Sequence, residues 1–267
     1  MSEPLLITSP ANARLKAIAG LRRRRAREQE RRTLVEGHDE LVLALDAGVV
    51  PELLLLCPEL APAGAVEELA GRVADGPTQV VHATRAAFEK AAYRESPDGV
   101  LAVVGAVGSR PADLSLPPDA LVLLCEGVEK PGNLGAMLRT ADAAGVDAVV
   151  AADPVTDWGN PNTVRASKGT VFSVPVAADG TTVTLDWLDG LGIPLVAATP
   201  DTEMAHTEVD YRGPVAIAVG TEKTGLTDEV LRRAAHRVRI PMVGRVNSLN
   251  VATSAAIIVY EAVRQRG

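Results

Sequence analysis

Aromatic side chains are scarce: Phe, Trp and Tyr make up 3% of the 267 residues. So few rings argue against a stacking platform for single-stranded bases, and any nucleic acid held here would be met through phosphates and shape. Cys57 and Cys125 stand alone, without Cys-x-x-Cys or Cys/His spacing, which fits a reducing cytoplasm and argues against structural zinc. The four histidines, His38, His82, His206 and His236, are scattered and offer no metal cluster. No apolar run is long enough for a membrane span, and the start, MSEPLLITSPANARLK, lacks the pattern of a secretory leader. No G-x-G-x-x-G follows the first strand and no G-x-x-x-x-G-K-[ST] appears, which removes the dinucleotide fingerprint and P-loop phosphoryl transfer. A Ser/His/Asp triad has no nucleophile elbow to rest on.

What is present is a chain that is 47% apolar, enough to bury a real core in one large domain or two ordinary ones. Its net charge of −7 is unevenly placed. Residues 1–32 carry Arg14, Lys16, Arg22, Arg23, Arg24, Arg25, Arg27, Arg31 and Arg32 against Glu3, Glu28 and Glu30, a local +6 that leaves −13 elsewhere. A basic arm on an acidic body can hold phosphate locally while the body stays soluble. The plainer alternative is a solvated helix face, since Arg is a good helix former.

The first third alternates helix and strand. SPANARLKAIAGLRRRRAREQE reads as one helix with Ser9 as N-cap and Pro10 in the first turn. TLVEG is a strand ending at Gly37, and HDELVLALDAG a helix stopped by Gly48. VPELLLLC, TQVVHAT and GVLAVVGAV read as strands, and AAFEKAAYRES as a helix. GSRPADLSLPPD is a linker, which places a boundary near residue 115. Beyond it DALVLLCEGV, VDAVVAAD, GIPLVAATP, PVAIAVG and HRVRIPM are strands. Between them LGAMLRTADAAG, NTVRASKGTVF and LTDEVLRRAAH are helices, and an apolar helix closes the chain. Continuous Val/Ile/Leu/Ala strands alternating with helices indicate a parallel sheet covered on both faces.

In such sheets ligands sit beyond the carboxyl ends of the strands. Three polar, glycine-bearing stretches fall there: EGVEKPGNLGAMLRTADAAG, AVGTEKTGLTDE and IPMVGRVNSLNVATSAA. Asn133 and Arg139 are six residues apart, about 240° around an ideal helix, so they cannot share one helical face. Asn133 is expected in the loop, with Arg139 projecting from the second helical turn. An intrahelical pair between Arg139 and Asp142 is the plainer reading. Thr227 reads as an N-cap, whereas nothing local calls for a carboxylate at Glu222. Asn247 or Ser248 would cap the last helix, leaving Asn250 as an extra polar group inside its first turn.

Together these stretches resemble the three motifs of the SpoU/TrmH-type RNA ribose 2′-O-methyltransferases of the SPOUT superfamily. The motifs are N-x-G-x-x-x-R (Asn133, Gly135, Arg139), G-x-E-x-x-G-L (Gly220, Glu222, Gly225, Leu226) and I-P-M-x-G-x-x-x-S-L-N-V (Ile240 to Val251), in order and spacing. V-R-A-S-K-G (Val164 to Gly169) resembles a further family segment. The Arg-rich region and the L-V-E-G turn at Leu34 to Gly37 resemble the small RNA-binding domain, similar to a ribosomal protein, that many members carry. Two positions depart from the pattern: Lys130, where the family often has an acid, and Ala252, where a small polar residue is usual.

The resemblance implies an α/β protein. Its amino-terminal α/β RNA substrate-binding domain would span residues 1–112, and its SPOUT parallel-sheet domain, with a deep trefoil knot, 118–267. It also implies a cytoplasmic homodimer with no metal and no membrane, using S-adenosylmethionine to methylate RNA, with rRNA favoured. Carried over position by position, the catalytic set is Arg139, Asn133, Glu222, Ser248 and Asn250. The donor would lie against Thr199, Gly220, Ile240 and Leu249, and RNA against Arg165, Arg22, Arg23, Arg24 and Arg25. An Arg is a poor general base, so Arg139 is read as a fork on the adjacent phosphate that also stabilises charge developing on the 2′-oxygen. The target could be 23S rRNA, in housekeeping or antibiotic resistance, or a tRNA; a non-catalytic RNA-binding protein on the same fold is the rival from another class.

Overall fold

The computed structural model describes residues 5–246 and 248–267, so the expected cap at Asn247 lies outside the described residues. The chain divides into two compact units: Met1–Val107 with Asp157–Ser173, and Gly108–Thr156 with Val174–Gly267. No helix among the described residues is long and apolar enough to cross a membrane.

The first unit runs β1 (Leu5–Ile7), α1 (Ala13–Gly20), α2 (Arg24–Glu30), β2 (Arg32–Glu36), α3 (His38–Asp46), β3 (Leu53–Leu56), α4 (Ala65–Arg72), β4 (Gln79–Ala83), α5 (Arg85–Ala91) and β5 (Val100–Gly105). Its sheet has the order β1-β4-β3-β5-β2, with β1, β4 and β3 parallel and β5 antiparallel to both β3 and β2. Leu15, Leu34, Leu55, Phe88 and Leu101 form its core.

The Arg-rich region is two helices rather than one. Asn12, not Ser9, is the N-cap of α1, its side chain accepting from the Arg14 N–H at 2.8 Å. The helix stops after Gly20, a weak helix former, and the freed carbonyls of Leu21 and Arg22 are taken by the Arg27 guanidinium at 3.0 and 2.9 Å. Arg27 is buried and also bonds Asp157, with Nε 3.1 Å from Oδ1. Arg22 reaches the carbonyls of Lys90, Ala91 and Ala92, at the carboxyl end of α5. Strand β1 and helix α4 have signals too short for periodicity to reveal.

The second unit begins with β6 (Leu121–Glu126), α6 (Pro131–Ala144) and β7 (Ala148–Ala152). The chain then contributes α7 (Pro161–Ala166) to the first unit before returning as β8 (Val176–Asp179), α8 (Thr181–Gly190), β9 (Leu195–Ala198), β10 (Val215–Val219), α9 (Asp228–Arg233), β11 (His236–Val238) and α10 (Val251–Arg266). The sheet order is β11-β9-β10-β6-β7-β8 and every pairing is parallel, as the apolar strands imply. Strands β6, β7 and β10 are buried along their whole length. β8 and α8 are not among the elements that the sequence pattern predicts.

The segment Asp157–Ser173, including V-R-A-S-K-G, is thus part of the first unit. Thr33 Oγ1 donates to the Gly159 carbonyl, and Tyr93 OH to the Pro161 carbonyl at 3.1 Å. Lys168 and Gly169 turn through positive φ, 52° and 87°. A Cβ at Gly169 would come within 2.9 Å of the Glu40 carbonyl oxygen, so α3 and this turn pack backbone to backbone.

Candidate active site

Strand order in the second unit reverses between β10 and β6, the kind of switch point at which a crevice opens beyond the carboxyl ends of a parallel sheet. The loop after β6 enters α6, and the loop after β10 enters α9. Pro131 occupies the first position of α6, where its missing N–H costs nothing. The helix therefore starts three residues before the expected LGAMLRTADAAG, and Asn133 lies in its first turn rather than in the loop. Arg139 correspondingly falls in the third turn.

The loop after β10 folds back on itself. Thr221 and Gly225 exchange backbone hydrogen bonds at 3.0 and 3.1 Å, and the Thr224 N–H donates to Thr221 Oγ1 at 2.9 Å. Gly225 has φ +70°, and a Cβ on Gly220 would sit 2.2 Å from the Gly225 carbonyl carbon. The G-x-E-x-x-G spacing is therefore what lets this turn close, and closure presents Glu222 at its tip.

Three motifs meet at that carboxylate. Glu222 Oε1 accepts from Asn133 Nδ2 at 3.0 Å and from Asn250 Nδ2 at 3.1 Å, and Asn250 Nδ2 also donates to Asn133 Oδ1 at 3.1 Å. Lys130 Nζ bonds Glu222 Oε2. Lys130 first, then Asn133, hold the Glu222 carboxyl below its ordinary range. Asn250 is not an extra group inside the last helix. It is the N-cap of α10, its Oδ1 accepting from the N–H groups of Ala252 at 2.9 Å and Thr253 at 3.4 Å. One amide side chain caps the helix with its oxygen and ties the site with its nitrogen.

Arg139 and Ser248 are exposed and make no hydrogen bond or ion pair to another described residue, so the Asp142 pairing that spacing allows to Arg139 is not formed. Thr199, Gly220 and Ile240 follow the adjacent strands β9, β10 and β11, and the Thr199 N–H donates to the Val238 carbonyl at 2.9 Å. The loop into α10 leaves Val243, Val246 and Leu249 exposed at 101%, 62% and 36%. Uncharged strand ends and uncovered apolar side chains are the kind of surface that an adenosyl group needs.

Of the expected RNA contacts, Arg165 is exposed on α7, and Arg23 and Arg25 are exposed and unbonded among the described residues. Arg24 pairs with Glu28 at 2.7 Å, and Arg22 is held by the α5 carbonyls.

Sequence reasoning missed Glu126. It is buried at the end of β6 and accepts from the Thr227 N–H at 2.8 Å, Thr227 Oγ1 at 2.7 Å and Thr181 Oγ1 at 3.1 Å. It ties β6 to the starts of both α9 and α8, fixing the far end of the loop that carries Glu222. The signal was there: a carboxylate closing the otherwise apolar LVLLCE.

Residues 120–260 match the SpoU rRNA Methylase family, and residues 12–102 the MRM3-like substrate binding domain. A 23S rRNA (guanosine(2553)-2′-O)-methyltransferase of Bacillus subtilis is 30% identical over 95% of this chain and 97% of its own. A tRNA (guanosine(18)-2′-O)-methyltransferase of Escherichia coli is 39% identical over 56% of this chain and 65% of its own. The crystal structure of an AdoMet-bound rRNA methyltransferase from Sinorhizobium meliloti superimposes with a TM-score of 0.90, at 29% identity over 98% of both chains.

Proposed function

We propose that this chain, which belongs to the SpoU rRNA methylase family, transfers a methyl group from S-adenosylmethionine to a ribose 2′-hydroxyl of 23S rRNA. The observation that carries the reading is the meeting of Asn133, Glu222 and Asn250, one residue from each motif, at the switch point of the sheet. Ribosomal RNA is favoured over tRNA by extent of likeness. The 23S rRNA relative matches nearly the whole chain, amino-terminal region included, whereas the tRNA relative matches about half of it.

The residues divide by task. Thr199, Gly220, Ile240 and Leu249 hold the donor, which when bound supplies an electrophilic methyl on a sulfonium. Arg139 grips the phosphate beside the target ribose and stabilises the charge that grows on the 2′-oxygen as its proton leaves. Asn133, Glu222 and Asn250 shape the cleft between ribose and donor, with Ser248 at its rim. Residues 1–112 act as the RNA-binding domain, through Arg23, Arg25 and the neighbouring basic residues, and Arg165 adds a further contact. Residues 118–267, apart from the segment Asp157–Ser173 that folds with the first unit, form the knotted methyltransferase domain of a cytoplasmic homodimer. The exposed Tyr260 and half-buried Ile257 on α10 leave an apolar strip for the partner.

The test is mass-spectrometric mapping of 2′-O-methyl groups in rRNA and tRNA incubated with the protein and labelled donor. One new mark in 23S rRNA is expected. A mark in tRNA alone moves the substrate class, and no mark in either RNA, with no donor bound, leaves only an RNA-binding protein on this fold.

A further inference from the structure

Lys130 stands where the family often carries an acid, and the structure gives it a particular partner. Its side chain is 65% exposed, and its ammonium lies on Glu222 Oε2. The two oxygens of Glu222 are held by different means. Oε1 takes the amides of Asn133 and Asn250, each fixed in the first turn or cap of a long helix. Oε2 has Lys130 alone among the described residues, at the end of a flexible four-carbon stem. An exposed ion pair of this kind is weak and screened by salt, so a competing anion displaces it readily. An ammonium has three donors, and the carboxylate engages one. Lys130, Glu222 and a second ammonium, Lys223, line the same open cleft.

We propose that Lys130 is a phosphate contact of the substrate cleft, resting on Glu222 in the free protein and passing to an RNA backbone phosphate when substrate enters. The exchange leaves Glu222 Oε2 free only while RNA is present, and its Oε1 stays held by the two amides. Without RNA, the ammonium rests on the carboxylate and balances its charge. The proposal rests on the RNA methyltransferase reading above.

The experiment uses the full-length protein and a 23S rRNA fragment containing the mapped target. RNA affinity is measured across a salt series, donor affinity separately by calorimetry, and kcat with labelled donor. Lys130→Gln is expected to weaken RNA binding about three- to tenfold near 0.15 M salt and to make log K against log salt shallower by about 0.7–0.9, the loss of one phosphate contact. Lys130→Glu should weaken binding further, and Lys130→Arg should restore most of the affinity and the slope. Donor affinity should stay within about twofold throughout. An unchanged salt slope in Lys130→Gln overturns the proposal. With a lowered kcat it makes Lys130 only a brace for Glu222, and with weakened donor binding it assigns the lysine to the donor's carboxylate. Failure of the unsubstituted protein to methylate any RNA is a separate result, and strikes the functional reading instead.

Discussion

Two arginines, Arg27 of the amino-terminal unit and Arg139 of the second, do different things. In the amino-terminal unit Arg22 donates to three carbonyls at the end of α5, Arg27 is buried on Asp157 and two carbonyls, and Arg94 is paired with Glu40. In the second unit Arg139 is exposed on α6 without a bonded partner among the described residues. A guanidinium whose donors are taken by the chain holds structure, whereas one left open can meet a substrate. Net charge cannot tell these apart.

The sharpest way to break that contrast is to remove one arginine of each kind. Arg139→Ala should bind the donor normally by calorimetry yet lose methyl transfer at least a hundredfold, about 2.7 kcal/mol of transition-state stabilisation. Near-normal turnover would sink the assignment. Arg27→Ala should act through the fold, lowering stability to urea by about 2 kcal/mol, because buried carbonyls and Asp157 lose a charged donor. The penalty stays moderate because Asp157 is 26% exposed and can regain water. A variant with native stability but weakened RNA binding would reverse the classification of Arg27.

The same contrast explains how much could be read beforehand. The parallel sheet was legible because β6, β7 and β10 are continuous apolar runs, and buried strands leave that trace. The three motifs were legible as a resemblance to a known family, and in one of them the spacing is tied to local geometry: a Cβ on Gly220 would strike the Gly225 backbone, and Gly225 itself turns at φ +70°. Asn133 was misplaced because Pro131 reads as a loop residue until one knows that it opens a helix. Asn250 was misread because its two roles, cap and tie, belong to opposite ends of one amide. The break between α1 and α2 was invisible because it is stabilised from a distance, by Lys90, Ala91 and Ala92 on Arg22, and by Arg27 reaching back. Side chains that act across the sequence leave no periodic signal.

Within the basic arm the comparison can be drawn more finely. Replacing Arg23 and Arg25 together by Gln should flatten the salt dependence of RNA binding by about 0.7–0.9 per arginine, with little change in stability. Arg22→Gln should do the reverse, costing about 1 kcal/mol of stability and leaving the slope nearly unchanged. Equal slopes for both variants would return the whole arm to an ordinary solvated surface.

The smallest expected effect concerns two carboxylates with opposite settings. Glu36, fully buried at the end of β2, has its carboxyl pushed up by burial, although the Tyr93 N–H at 2.7 Å partly offsets this. Glu222, at an open turn, is held below the ordinary range by Lys130 first. Between the ordinary glutamate value and the raised value, the folded protein holds a proton at Glu36 that the unfolded chain has lost, so this group lowers stability as pH rises through that window. Between the lowered value and the ordinary one, the unfolded chain holds the proton at Glu222, so that group raises stability as pH rises. Urea unfolding at stepped pH should therefore show Glu36→Gln removing a decline and Glu222→Gln removing a rise, in adjacent windows. The second change should be the fainter, because solvent and salt screen the Lys130 pair at an exposed turn. Declines at both positions would mean that burial, not Lys130, governs both glutamates.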